Sequence, residues 1–194
     1  MADSVTQFSG GWYAAPIATA SATVAYTDGV LIPSKALNKS VQTTTTTISA
    51  IDTTAAGVKF ALLYSLRCGY NVSFGGQLRA RCRWQTTTGA GGGATGRINI
   101  DVRRKDISGN VSSIAGLVKG SGAPRSIAGV TNQTENQILV NIPPQTFAPG
   151  ESIVVVVEFE VIATNAANTL VVLLSTNPIT AGDELIIELD SGTP

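Results

Sequence analysis

The stretch "SIVVVVEFEV", Ser152 to Val161, decides the fold. Ile153, Val155, Val157, Phe159 and Val161 occupy every second position, so an extended chain carries all five on one face. Glu158 and Glu160 fall on the opposite face. The aliphatic part, Ile153 to Val157, is far too short to span a bilayer as a helix.

The same two-residue period recurs outward from this stretch. It runs through Phe60, Leu62, Tyr64, Leu66 and Cys68, then through Leu78, Ala80, Cys82 and Trp84. It returns at Ile98, Ile100 and Val102, and at Ile138, Val140 and Ile142. "NTLVVLLS" (168–175) and "DELIIELD" (183–190) are apolar on both faces over part of their length, as interior strands are. Between the runs stand "FGGQ" (74–77), "DISGNV" (106–111), "FAPGES" (147–152) and "TAGDE" (180–184), all rich in turn-forming residues. A sustained helical repeat is absent; "NVSSIAGLVKG" (110–120) is the one candidate, for a turn or two. Short strands with such turns predict an all-β fold, an antiparallel β-sandwich of jelly-roll type.

Residues 1–55 differ in character. Their charges are Asp3, Asp28, Lys35, Lys39 and Asp52 alone, amid Ala, Thr and Ser, with "TTTTT" at 43–47. Pro16 and Pro33 interrupt any long element, and the aromatics Trp12, Tyr13 and Tyr26 follow no helical period. This reads as an extended N-terminal arm ordered against a neighbour, leaving 56–194 as the sandwich domain.

Composition narrows the function. Histidine is absent from the 194 residues, which removes the commonest general base, the commonest metal ligand and every Ser-His or Cys-His pair. Charged residues are 13% and the formal net charge is zero, against about 25% charged in a typical soluble domain. Without a basic excess the chain is not suited to wrapping nucleic acid. Little charge and no net charge favour association. The N-terminus has no basic segment leading into an apolar one, so no secretion signal is expected, and neither is a membrane partner. Cys68 and Cys82 are then expected as buried thiols in a reducing compartment, although a turn at Phe74–Gly76 would set them opposite one another across a hairpin.

Two motifs invite chemistry. Gly91–Gly96 fits G-x-G-x-x-G, the dinucleotide fingerprint. That loop needs a helix after it to aim a dipole at the pyrophosphate, and "RINIDVRR" alternates as a strand. The acidic residue for the ribose is missing too, since nothing acidic lies between Asp106 and Glu135. A P-loop would require Lys and then Ser or Thr where Arg97 and Ile98 stand. Gln85–Gly96 therefore reads as a long tip joining two antiparallel strands. Glu158 and Glu160, roughly 6.5–7 Å apart along a strand, have a spacing open to an inverting glycosidase. They have no aromatic cleft beside them in the sequence, and a charged sheet face is the better reading. No catalytic residue, cofactor or metal site is expected.

The polar faces carry a further expectation. Arg79, Arg81 and Arg83 lie opposite the Leu78–Trp84 face, and Arg97, Asp101 and Arg103 opposite Ile98, Ile100 and Val102. If these strands are neighbours of the one bearing Glu158 and Glu160, arginines meet carboxylates across the sheet. Three arginines with no lysine among them also suit a subunit contact. Trp12, Tyr13, Tyr26, Arg79, Arg81, Arg83, Glu158 and Glu160 are accordingly the interface candidates.

With the arm, "NQILVNIPPQTFAPGESIVVVVEFEV" and "VRRKDISGNV", the chain resembles jelly-roll structural proteins of tailed-phage virions, most of all capsid decoration or cement proteins. The resemblance covers mostly residues 58–190. It implies homotrimers or similar small oligomers seated on a major capsid protein or another virion protein, with arms exchanged. It implies location in the virion after assembly in the host cytoplasm, with no catalysis and no cofactor. The alternative of another class is a carbohydrate- or receptor-binding sandwich in a tail or fibre, using exposed aromatics such as Trp12, Tyr13 and Tyr70.

Overall fold

The computed structural model describes residues 10–16, 26–33, 45–52, 54–86, 93–127, 131–164, 169–175 and 186–190. The strands are β1 (Gly10–Pro16), β2 (Tyr26–Pro33), β3 (Thr45–Asp52), β4 (Gly57–Arg67), β5 (Val72–Thr86) and β6 (Thr95–Lys105). They continue as β7 (Val111–Ser113), β8 (Gly120–Ser121), β9 (Arg125–Ser126), β10 (Thr131–Phe147), β11 (Ser152–Ala163), β12 (Thr169–Ser175) and β13 (Ile186–Asp190). The described residues contain no helix, and the fold is all-β. Where "NVSSIAGLVKG" allowed a helical turn, β7 leads into a tight turn closed by Leu117 N–H donating to the Ile114 carbonyl.

Hydrogen bonds link the strands in the order β3-β12-β5-β13-β1-β2-β4-β11-β6-β7, with β10 on the far side of β5 and β8 and β9 on β6. Every pairing is antiparallel except β2 with β4. The network curls so that β5 and β10 face β4, β11 and β6, which makes the sandwich. The core between these layers takes Leu78, Ala80, Cys82 and Trp84 from β5 and Ile138, Val140 and Ile142 from β10. Tyr64, Ile98, Ile100, Val102, Ile153, Val155, Val157, Phe159 and Val161 come from the other layer. Trp84 meets Phe159 edge-on across the gap, ring centroids 5.5 Å apart.

The inward faces are the ones that alternation marks, and "NTLVVLLS" and "DELIIELD" contain interior strands: β12 lies between β3 and β5, β13 between β5 and β1. β11 goes further than alternation implies. Ser152 through Phe159 are all buried, including Val154, Val156 and Glu158. Val154 and Val156 form a second small cluster with Ala61 and Leu63 on the opposite side of the sheet.

Three local expectations are corrected. The glycine-rich connection does not close a hairpin: β5 pairs with β10, β12 and β13, while β6 pairs with β11, β7, β8 and β9. The strands on either side of it lie in different layers, and its residues 87–92 lie outside the described residues. "FGGQ" is not a turn but part of β5. Opposite it, β10 shifts register between Ile142 and Gln145, at Pro143–Pro144. A Cβ on Gly75 would stand 3.0 Å from the Pro144 Cα, and Gly76 adopts φ 116°, so glycines accommodate the proline bulge. Consequently Cys68 and Cys82 do not oppose one another in a β4–β5 hairpin; both are buried and free. The "TAGDE" turn lies outside the described residues.

The first 55 residues contribute extended strands, joined to this chain's own sheet. β1 pairs with β2 and β13, β2 with β4, and β3 with β12.

Candidate functional site

The chemistry-bearing side chains gather on the outward faces of β6 and β11. Alternation sends Ile98, Ile100 and Val102 inward, so Arg97, Asn99, Asp101 and Arg103 point outward. Antiparallel register puts Glu160 opposite Arg97, Glu158 opposite Asn99 and Val156 opposite Asp101. Arg97 Nε donates to Glu160 Oε2 at 2.9 Å, and Asn99 Nδ2 donates to the same oxygen at 2.8 Å. Arg103 Nε donates to Asp101 Oδ2 at 2.8 Å and reaches Glu158 Oε1 at 3.4 Å through its second nitrogen. Lys119, from the segment before β8, donates to Glu158 Oε2 at 2.9 Å. Three cations and three carboxylates thus form a two-part lattice: Arg97 with Glu160, and Asp101, Arg103, Glu158 and Lys119 beside them.

Burial gives this lattice its character. Asn99 is fully buried and the Glu158 side chain is 8% exposed. A carboxylate so placed needs a partner, and Lys119 and Arg103 supply two. Partial burial pushes the Glu160 carboxyl up, but hydrogen bonds from Asn99 and Arg97, with the charges of Arg97 and Lys119, outweigh it. The net result holds Glu160 below the usual carboxylate range. An acid held ionised in this way is suited to binding a fixed cation and ill suited to giving up a proton in mid-reaction. The pairing expected of Arg97, Arg103, Glu158 and Glu160 is therefore present between β6 and β11.

The Arg79, Arg81 and Arg83 stripe lies elsewhere. β5 is not a neighbour of β11, so these arginines do not meet Glu158 or Glu160. Arg79 and Arg83 are half-buried and Arg81 is exposed. Register sets Glu188 of β13 and Leu139 of β10 on either side of Arg79. Next along the strand, Gln77 Nε2 donates to Asn141 Oδ1 at 3.2 Å. Trp12 and Tyr13 lie in β1, opposite Ile187 and Ile186 of β13, and Tyr26 begins β2 opposite Ala61. The side chains of these three aromatics lie outside the described residues.

Two features escaped sequence reasoning. Asn99 looks like one polar residue among several, yet it holds Glu160 from a fully buried position. Lys119 lies outside every periodic run, and nothing in its spacing connects it with Glu158 39 residues away. Elsewhere, Arg104 stacks on Phe147 with its Cζ 4.6 Å from the ring centroid and donates to the Thr146 carbonyl, closing one end of the sandwich. Burial pushes the Cys68 thiol and the Tyr64 hydroxyl up, so both stay neutral at physiological pH. Among the described residues no three His, Cys, Asp or Glu side chains form a metal-holding group. No helix there is long and apolar enough to cross a membrane.

No protein-family pattern matches the chain, and no curated protein sequence matches it. Among solved structures it is similar to two crystal structures of a CocE/NonD family hydrolase from Staphylococcus aureus. One gives TM-score 0.50 at 11% identity, and the other 0.47 at 12%. The match covers 93% of this chain and 36% of the hydrolase chain in each case. At that identity the first likeness concerns the fold alone, and the second carries no argument.

Proposed function

We propose that the chain is a virion structural protein that decorates or cements a tailed-phage capsid through contacts between subunits, without catalysis. The observation that carries this reading is the use of its acids. Glu158, Glu160 and Asp101, the carboxylates best placed for chemistry, are tied to Lys119, Arg97, Asn99 and Arg103 in a lattice that braces β6 against β11. An electrostatic brace across the outward face of the β6–β11 pair suits a structural part. The low charge and zero net charge of the chain suit packing against other protein. The Staphylococcus aureus hydrolase lends a fold and no activity, because the chain spans 36% of it and has no histidine to serve a Ser-His pair.

Mass spectrometry of purified particles from cells carrying the gene tests this. The expected result is this protein at a fixed ratio to the major capsid protein, retained through density-gradient purification. Its recovery solely from the soluble fraction would sink the proposal.

A further inference from the structure

Among the described residues the hydrogen-bonded network has three outer margins, and they are not equally protected. Beside β6 lie β7, β8 and β9, with Gly122 N–H donating to the Ile98 carbonyl and Ile127 N–H to the Ala94 carbonyl between them. β10 carries two register shifts and Pro143–Pro144, which have no N–H to offer. Gly120 also presses against it, so closely that a Cβ there would collide with the Leu139 carbonyl oxygen. β3 is the third margin. Among the described residues it pairs only with β12.

Proteins commonly blunt such an edge with proline, lysine, a bulge or an inward charge. Thr45–Asp52 contains no Pro, Gly, Lys or Arg, and its one charge is Asp52 at the far end. Its single irregularity falls between Ile48 and Ile51. Before it, Thr45, Thr46, Thr47 and Ile48 run in unbroken register with Ser175, Leu174, Leu173 and Val172. All four are β-branched, the residue type that best fits an extended, pleated chain.

We propose that the outer edge of β3 pairs antiparallel with β3 of a second copy of this chain across a two-fold axis. The inference rests on the assembly reading above and names its contact. A two-fold operation lays the uncharged Thr45–Ile48 segment on itself reversed and sends the two Asp52 carboxylates to opposite ends. An uncharged edge offers nothing to a charged partner, whereas the zero net charge sets up no long-range repulsion between copies. The joint is strand addition, in which the backbone supplies the hydrogen bonds.

The test is the native mass of the full chain at micromolar concentration, measured beside T46K/T47K, which puts a lysine on each face of the edge. The single variant T47K serves if the double variant does not fold, and circular dichroism checks for retained strand. The expected result is a dimer, or an even-numbered oligomer built from dimers, whose dissociation constant for the β3 joint rises at least tenfold in the folded variant. A folded variant that keeps its oligomer overturns the β3 contact and leaves the assembly reading standing. So does an odd-numbered native oligomer. A wild-type chain that is monomeric throughout overturns both.

Discussion

Glu158 follows an aliphatic run from Ile153 to Val157, and Lys119 and Arg103 reach it there. Glu158→Ala removes the one group that ties β11 both to β6 and to the segment before β8. We expect a loss of about 1–3 kcal/mol in urea unfolding, the usual cost of orphaning buried hydrogen-bonding partners. Glu160 sets a pH dependence whose sign follows from its lowered pKa. In acid the unfolded chain takes up the Glu160 proton before the folded chain does. Its contribution is therefore whole above the ordinary glutamate range and is lost as pH falls through the lowered folded value. Thermal melting against pH is expected to show a flatter acid limb in Glu160→Gln. Trp84 separates volume from polarity: it is fully buried on Phe159, and its indole Nε1 has no hydrogen-bond partner. Trp84→Ala should cost about 3–5 kcal/mol. Trp84→Phe fills most of the space and removes the orphan donor, so its cost should stay below about 1.5 kcal/mol. The inward face of each strand was legible at this scale, because burial on one side imposes a period of two. Asn99 and Lys119 were not, because what defines them is a partner distant in sequence.

Elements were legible one at a time, and their pairing was legible only where a short turn dictates it. The Asp106–Asn110 turn between β6 and β7 is such a case: Asp106 accepts from both the backbone and the side chain of Asn110. The β5–β6 connection shows the limit. Consecutive strands pair more often than not, yet β5 takes β10 instead, whose Thr131 faces Thr86 and whose Phe147 faces Val72, far along the chain. The "FGGQ" segment misled for a related reason. Two glycines read as a turn, but their use is to admit Pro143–Pro144 from a strand that local pattern does not connect with them. Gly120 makes the same argument testable. Gly120→Ala must move either β8 or the Leu139 backbone, since the added Cβ would collide with the Leu139 carbonyl oxygen. A loss of about 1–3 kcal/mol is expected, with faster amide exchange at Ser121 and Gly122, the part of the β6 margin that Gly120 anchors.

At the scale of the whole molecule, the sandwich follows from strands that each bury a face, and the sheet order follows from contacts far apart in sequence. The segments read as an N-terminal arm bring β1 and β2 between β13 and β4, and β3 to an outer margin. Composition pointed toward association without saying where, because low charge is spread along the chain while an edge is a property of the folded sheet. The role proposed for the whole molecule is that this sandwich reinforces a capsid. It is tested most directly by adding the purified protein to shells of the same phage prepared without it. The bound amount and the melting temperature of the shells are then measured together. Binding is expected to saturate at a fixed number of copies per shell, with a higher melting temperature at saturation. Shells that bind none of the protein, or bind it and melt unchanged, would contradict it.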